Sequence, residues 1–126
     1  MKKIFLSSLI TLFIVPAVWA NIVGHREYQC PSVEAIKSLG LKKGSIYQDG
    51  DYYGFSQGGT YGSPYQWLFR IYKISASSKE DAFLKADATL IGLSGSPAAE
   101  YRNGFMYCLY HNENGYITDA FTKNIG

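Results

Sequence analysis

Residues of the types that perform catalysis are few in this chain, and none stands at a diagnostic spacing. The segment 92–96 (GLSGS) half resembles a nucleophile elbow, but its last position is Ser and it does not lead from a strand into a helix. His111 falls late in a predicted strand, and His25 lies near the start of the expected mature chain. We therefore predict no catalytic residue. A small hydrolase that uses His111 with an acid brought close by folding stays as an alternative.

The carboxylates give no sign of a metal site. Asp49 and Asp51 flank Gly50, a pattern that favours a turn over general acid–base chemistry. The pair also lacks the further acidic positions of a calcium loop. We predict neither a metal site nor a cofactor.

Tyrosine is the distinctive residue type, because six of the 11 tyrosines lie between residues 45 and 74. A tyrosine joins a large rigid ring to a hydroxyl and suits recognition surfaces. Glycines in the segment 58–64 permit a loop that folds over a ligand. We predict a ligand-binding surface formed by this loop and a hairpin at Asp49-Gly50. Its candidate residues are Tyr47, Tyr52, Tyr61 and Tyr65.

Two interpretations of the aromatic segment 45–74 stay open. As a binding surface, it makes the chain an exported, non-enzymatic binding protein whose partner is a glycan, a peptide or a protein. As a structural feature, it packs aromatic rings across the strands of a small sheet, with Trp67 and Phe69 in the core. A further alternative is an inhibitor of a protease or muramidase, in which the loop 58–64 plugs the active site of the partner.

The N-terminus predicts export. Two lysines precede an apolar run that ends before Pro16, and small residues precede Asn21, which is the pattern of a signal peptide over residues 1–20. The apolar run is shorter than the ~20 residues that a spanning helix needs, so we expect no stable membrane insertion after cleavage. Residues 21–126 then form a single exported domain in the periplasm or outside the cell.

Charge argues against nucleic acid as a partner. The chain has 12 Lys and Arg against 10 Asp and Glu, and its excess of two is Lys2 and Lys3 of the predicted signal peptide. Residues 21–126 are therefore neutral, and Lys42-Lys43 is their one basic doublet. Because nucleic-acid binding needs a clustered basic face, we exclude that class.

Cys30 and Cys108 are the two cysteines of the chain. In an exported protein such a pair predicts a disulfide, here one that closes most of the domain into a loop. The alternative is a Cys/His metal site with His25 or His111, for which no ligand pair stands at a recognised spacing.

The predicted elements make an α+β fold. A helix capped by Ser32 ends at Gly40, and a second begins at Ser77 or Ser78 and ends near residues 90–92. Between them lie the Asp49-Gly50 hairpin and a strand at 65–74 that alternates apolar and other residues. After the second helix, Asn-Gly dipeptides at 103–104 and 114–115 predict a three-stranded meander. The sum is an antiparallel sheet of about six strands with two helices and one disulfide.

Several of these features together resemble a known class of proteins. Cys30-Pro31 before a helix with Ile36, the central Trp67 and the run Tyr107-Cys108-Leu109-Tyr110 look like small exported single-disulfide proteins of uncharacterised family. Such proteins occur in intracellular Gram-negative bacteria, some as type II secretion substrates. The resemblance implies export and a host-facing role, and it brings no catalytic residues with it.

Overall fold

The computed structural model describes residues 28–123, so the predicted signal peptide and His25 lie outside the described residues. Residues 28–123 form two helices and six strands. In chain order these are α1 (Val33–Leu39), β1 (Ser45–Asp49), β2 (Tyr52–Gly59), β3 (Trp67–Ile74), α2 (Lys79–Ile91), β4 (Glu100–Arg102), β5 (Phe105–Tyr110) and β6 (Ile117–Thr122). No helix within 28–123 is long and apolar enough to cross a membrane.

The strands form one antiparallel sheet in the order β1-β2-β3-β6-β5-β4. This confirms the predicted α+β class, with two helices, a six-stranded sheet and one disulfide. The predicted meander is β4-β5-β6, and its last strand returns to the centre of the sheet and pairs with β3.

Strand β3 confirms the alternation read from the sequence, because Trp67, Phe69 and Ile71 are buried on one face of the sheet. The alternation breaks at Lys73, whose φ is 67°, where the pairing of β3 with β2 also shifts. An extra residue at this bulge lets Lys73 stay exposed and returns Ile74 to the core. Both helices add their buried residues to the same core, and we call this side of the sheet the helix face.

Both helices begin and end where the sequence predicts. The hydroxyl of Ser32 accepts a hydrogen bond from the backbone of Ala35, and that of Ser78 does the same for Asp81. Helix α1 stops before Gly40, whose φ is 72°. Helix α2 buries Ala82, Ala86, Thr89 and Leu90, while Phe83 is 38% exposed. Small residues there let the helix approach the sheet closely.

The predicted disulfide is present and joins Cys30, just before α1, to Cys108 in β5, with the two Cα atoms 5.7 Å apart. A second link runs parallel to it, because the hydroxyl of Tyr110 donates a hydrogen bond of 2.5 Å to the carbonyl of Pro31. The N-terminal end of α1 is therefore fastened to the middle strand of the meander.

The hairpin of β1 and β2 has a different register from the predicted one. A two-residue turn at Asp49-Gly50 would place Tyr47 opposite Tyr52, but Tyr47 pairs with Gly54, and Tyr52 pairs with Asp49. The central residues of the turn are Gly50 and Asp51, and positive φ occurs at Gly50 alone, as in a type II′ turn. Because side chains alternate with a period of two, this two-residue shift leaves Tyr47 and Tyr52 on the same side of the sheet as each other.

The segment 58–64 is more ordered than its composition suggested. Strand β2 continues to Gly59, and Ser63 organises the rest. The hydroxyl of Ser63 accepts hydrogen bonds from the backbone of Tyr65 and from the indole of Trp67, at 3.1 and 3.0 Å. It also lies 2.9 Å from the carbonyl of Thr60. These bonds hold the loop against the start of β3.

Candidate functional site

The sheet has a second face that the helices leave uncovered within residues 28–123. Alternate residues of β3, β6 and β5 point to this side, as the strand pairing requires. We call it the open face and define its centre by Leu68, Arg70, Tyr72, Asp119, Phe121 and Tyr107. Aromatic rings and an ion pair therefore lie on a face of the sheet that neither helix covers.

An ion pair stands at the centre of the open face. Arg70 and Asp119 are direct cross-strand partners in β3 and β6. The guanidinium donates two hydrogen bonds to the carboxylate, from Nε to Oδ1 at 2.9 Å and from Nη2 to Oδ2 at 2.7 Å. The hydroxyl of Tyr72 donates to the same Oδ2 at 3.2 Å. The Asp119 side chain is only 7% exposed, so this bidentate pair is largely withdrawn from water.

Aromatic rings extend this centre in a continuous strip. The guanidinium carbon of Arg70 lies 4.4 Å from the ring centre of Tyr72 and 4.8 Å from that of Phe121. The Phe121 ring contacts Tyr107 at 5.5 Å and Phe105 at 5.6 Å between centroids. We call Tyr72, Phe121, Tyr107 and Phe105 the aromatic strip. Since arginine stacks well on aromatic faces, the strip and the ion pair form one connected surface.

Tyr47 adds a further ring from the edge of the sheet. Its ring lies over its partner Gly54, because a Cβ at that position would collide with the ring and the hydroxyl. Burial raises the pKa of the Tyr47 hydroxyl, while Arg70 opposes the shift and Asp49 and Asp119 add to it. The hydroxyl is therefore close enough to sense the central ion pair.

The position of Tyr47 can be tested through that pKa. In Gly54→Ala, the new methyl group should push the ring off β2 into water and return the Tyr47 pKa towards the ordinary value of tyrosine, because burial is the first cause of the rise. An NMR pH titration of the labelled tyrosine rings measures this. Gly58→Ala is the matched control on the same face, where a Cβ meets its nearest atom at 3.4 Å. An unchanged Tyr47 titration in Gly54→Ala would contradict the packing.

A cleft of about 430 Å³ opens on this face. Its floor includes Arg70, Asp119 and Tyr107, and its wall towards β4 includes Arg102 and Glu100. The second arginine donates a hydrogen bond of 2.8 Å to Glu100 and lies 5.5 Å from the ring centre of Tyr107. The volume is in the range of pockets that hold small ligands or a segment of a longer one.

The structure separates the four predicted binding tyrosines. Tyr47 and Tyr52 lie on the open side of the β1–β2 hairpin, with Tyr52 41% exposed. Tyr61 does not lie on the predicted binding surface, because it is 8% exposed and its hydroxyl donates to the carbonyl of Gln57 at 3.1 Å on the helix face. Tyr65 is half-buried and stacks on Tyr28 with ring centres 4.3 Å apart. The open face therefore receives two of the four residues.

Among residues 28–123, those considered for catalysis do not assemble into a site. His111 is exposed, and its backbone exchanges two hydrogen bonds with Ser94 at 2.9 and 3.0 Å. Within the described part of the chain, no hydrogen bond joins the His111 imidazole to a hydroxyl or a carboxylate, as a hydrolase would require. Across residues 28–123, no group of His, Cys, Asp and Glu is arranged to hold a metal ion.

Sequence reasoning missed the central ion pair and most of the aromatic strip. The alternation of residues 65–74 already placed Arg70 and Tyr72 on one face, and the same alternation in β5 places Tyr107 there. What local pattern cannot provide is the pairing of β3 with β6, which brings Asp119 to Arg70 across 49 residues of sequence.

Comparisons with known proteins leave the site to be interpreted from its own chemistry, since no family model, no curated protein and no solved structure matches this chain.

Proposed function

We propose that the chain is an exported, non-enzymatic binding protein and that it engages its partner through the open face. The observation that carries this proposal is the aromatic strip joined to the Arg70–Asp119 pair on a face that neither helix covers. Tyrosine, phenylalanine and arginine are enriched in the centres of interfaces. A sheet face that carries several half-buried aromatic rings and is left uncovered by the helices is typical of interaction sites on small proteins.

The chemistry of the centre favours binding over catalysis. Each partner of the Arg70–Asp119 pair is engaged by the other, so neither group is poised to move a proton or to attack a substrate. A fixed ion pair flanked by rings instead provides a rigid pattern of donors, acceptors and apolar planes. Rigid groups of this kind lose little conformational entropy when they bind.

The disulfide supports the exported location in this proposal. Stable disulfides form in oxidising compartments, and the Cys30–Cys108 bridge lies within the folded domain. Together with the signal-peptide pattern of residues 1–20, this supports a site of action in the periplasm or outside the cell. The resemblance to small exported single-disulfide proteins points the same way.

Affinity capture with matched variants tests the proposed surface. Wild-type protein, Tyr107→Ala and Tyr101→Ala are immobilised and exposed to bacterial envelope and host-cell extracts, and the retained proteins and sugars are quantified. Tyr101 is the control because it lies in the same hairpin, points to the other side of the sheet and is 63% exposed. We expect species that wild type and Tyr101→Ala retain and Tyr107→Ala loses.

A partner retained equally by all three proteins would contradict the proposal, provided that circular dichroism shows each variant folded. Leu109→Gln gives a second, independent variant, since Leu109 is 66% exposed on the open face and a neutral replacement adds no charge opposite Asp119. It should lose the same species as Tyr107→Ala.

A further inference from the structure

We propose that the cleft on the open face binds a neutral oligosaccharide, with Tyr72 and Tyr107, the two rings of the aromatic strip that line the cleft, as the platform for its sugar rings. This inference rests on the proposed function, since it assigns a ligand class to the same surface. Three properties of the cleft support it, namely its charge, its size and the groups that the sheet presents.

The charges of the cleft cancel within the described residues. Arg70 is bonded to Asp119 at 2.7 Å, and Arg102 is bonded to Glu100 at 2.8 Å. Because each guanidinium has a carboxylate beside it, the cleft has no net charge that would attract an anion or a cation. A neutral ligand that both donates and accepts hydrogen bonds is complementary to such a site.

The size of the cleft suits one segment of a chain-like ligand. Its volume of about 430 Å³ lies in the range of pockets that hold small ligands. An oligosaccharide can place part of its chain in such a cleft and extend the rest over the open face.

The open face cannot recruit an extended peptide by strand addition. Its backbone donors and acceptors are engaged in the ladders between β3, β6 and β5, so a peptide cannot pair with them as an added strand. Recognition has to come from side chains. Hydroxyl groups and C–H bonds, which alternate around a sugar ring, match a surface of this composition.

Each component of the face has a complementary part on a sugar. The C–H bonds beside ring oxygens carry partial positive charge and are attracted to the negative face of an aromatic ring, here that of Tyr72 or Tyr107 in the lining of the cleft. Hydroxyl groups can bond to the polar atoms at the centre. The described bonds of Arg70 use Nε and Nη2, which leaves the two N–H groups of Nη1 for a sugar oxygen. The Asp119 carboxylate retains acceptor capacity for a sugar hydroxyl.

The test titrates the disulfide-bonded protein, produced from the full chain, with defined sugars. The neutral probes are cellohexaose, chitohexaose, xylohexaose, mannohexaose and maltohexaose, and hexagalacturonate is the anionic probe. Binding is measured by isothermal titration calorimetry and by chemical-shift changes of backbone amides. We expect at least one neutral probe to bind, with affinity changed by less than about twofold between about 0.05 and 0.5 M NaCl. Tyr107→Ala should weaken it about tenfold, and Tyr101→Ala should leave it unchanged.

Three results would overturn the inference. The first is that no neutral probe binds at about 5 mM, a concentration that detects millimolar dissociation constants. The second is preferential and salt-sensitive binding of hexagalacturonate. The third is binding that Tyr107→Ala and Tyr101→Ala weaken equally. Failure of the sugar panel is distinct from failure of the proposed function. If the capture experiment still shows a protein partner that Tyr107→Ala loses, the open face is a binding surface whose ligand is not a neutral sugar.

Discussion

Replacing both cysteines by alanine should lower the free energy of unfolding by about 4 kcal/mol, the largest effect on stability that we expect from any change in this domain. The bridge joins residues separated by 78 positions, and the loop-entropy model gives about 4.5 kcal/mol for a loop of that length as an upper value. Small domains are stable by only about 5–15 kcal/mol in total. The variant should therefore stand close to unfolding at body temperature.

Urea denaturation of Cys30→Ala/Cys108→Ala beside the wild type checks this. Alanine is the better replacement because Cys108 is fully buried, and a serine hydroxyl there would add a separate penalty. Wild-type protein reduced with a phosphine is the control and should lose a similar amount. A variant within about 1 kcal/mol of the wild type would show that the Tyr110–Pro31 bond and the core alone hold α1 to β5.

The parts of the fold that the sequence predicted are those in which neighbouring residues decide the structure. Ser32 and Gly40 bound α1 because one can cap and the other can adopt positive φ, and both properties belong to single residues. Asn103-Gly104 forms its turn with φ of 49° and 89° for the same reason. The buried residues of β3 follow from the strand period, which requires no knowledge of the partner strands.

The candidate site was predicted less well because it depends on contacts between distant strands. Tyr61 shows the difficulty: a φ of 49° turns its side chain from a glycine-rich loop into the core, and local composition gives no sign of that direction. The open face shows it again, since β3 and β6 could not be aligned before the sheet order was known. Aromatic residues were recognised as the distinctive feature, and the assembly of Phe105, Tyr107 and Phe121 was not.

Removing the carboxylate of Asp119 should destabilise the domain by about 3 kcal/mol, because it leaves the Arg70 guanidinium without its bidentate partner between two rings. The value is at the lower end for buried pairs, since the Arg70 side chain is 25% exposed and water can replace part of the interaction. Urea denaturation of Asp119→Ala measures the change, with Asp87→Ala on the exposed side of α2 as the control. A loss below about 1 kcal/mol would show that the pair behaves as an ordinary surface ion pair.

The double variant Arg70→Leu/Asp119→Leu separates the structural part of this pair from its part in recognition. Replacing both charges by apolar side chains removes the unpaired guanidinium, so most of the stability lost in Asp119→Ala should return. Binding should not return, because the donors and acceptors at the centre of the cleft are gone while the aromatic strip remains. The titration that detects a neutral sugar with the wild type should then show weakening of about tenfold or more in a protein of near-normal stability. Unchanged binding in this double variant would mean that the rings alone hold the ligand and that the ion pair serves only to fix Tyr72 and Phe121 in place.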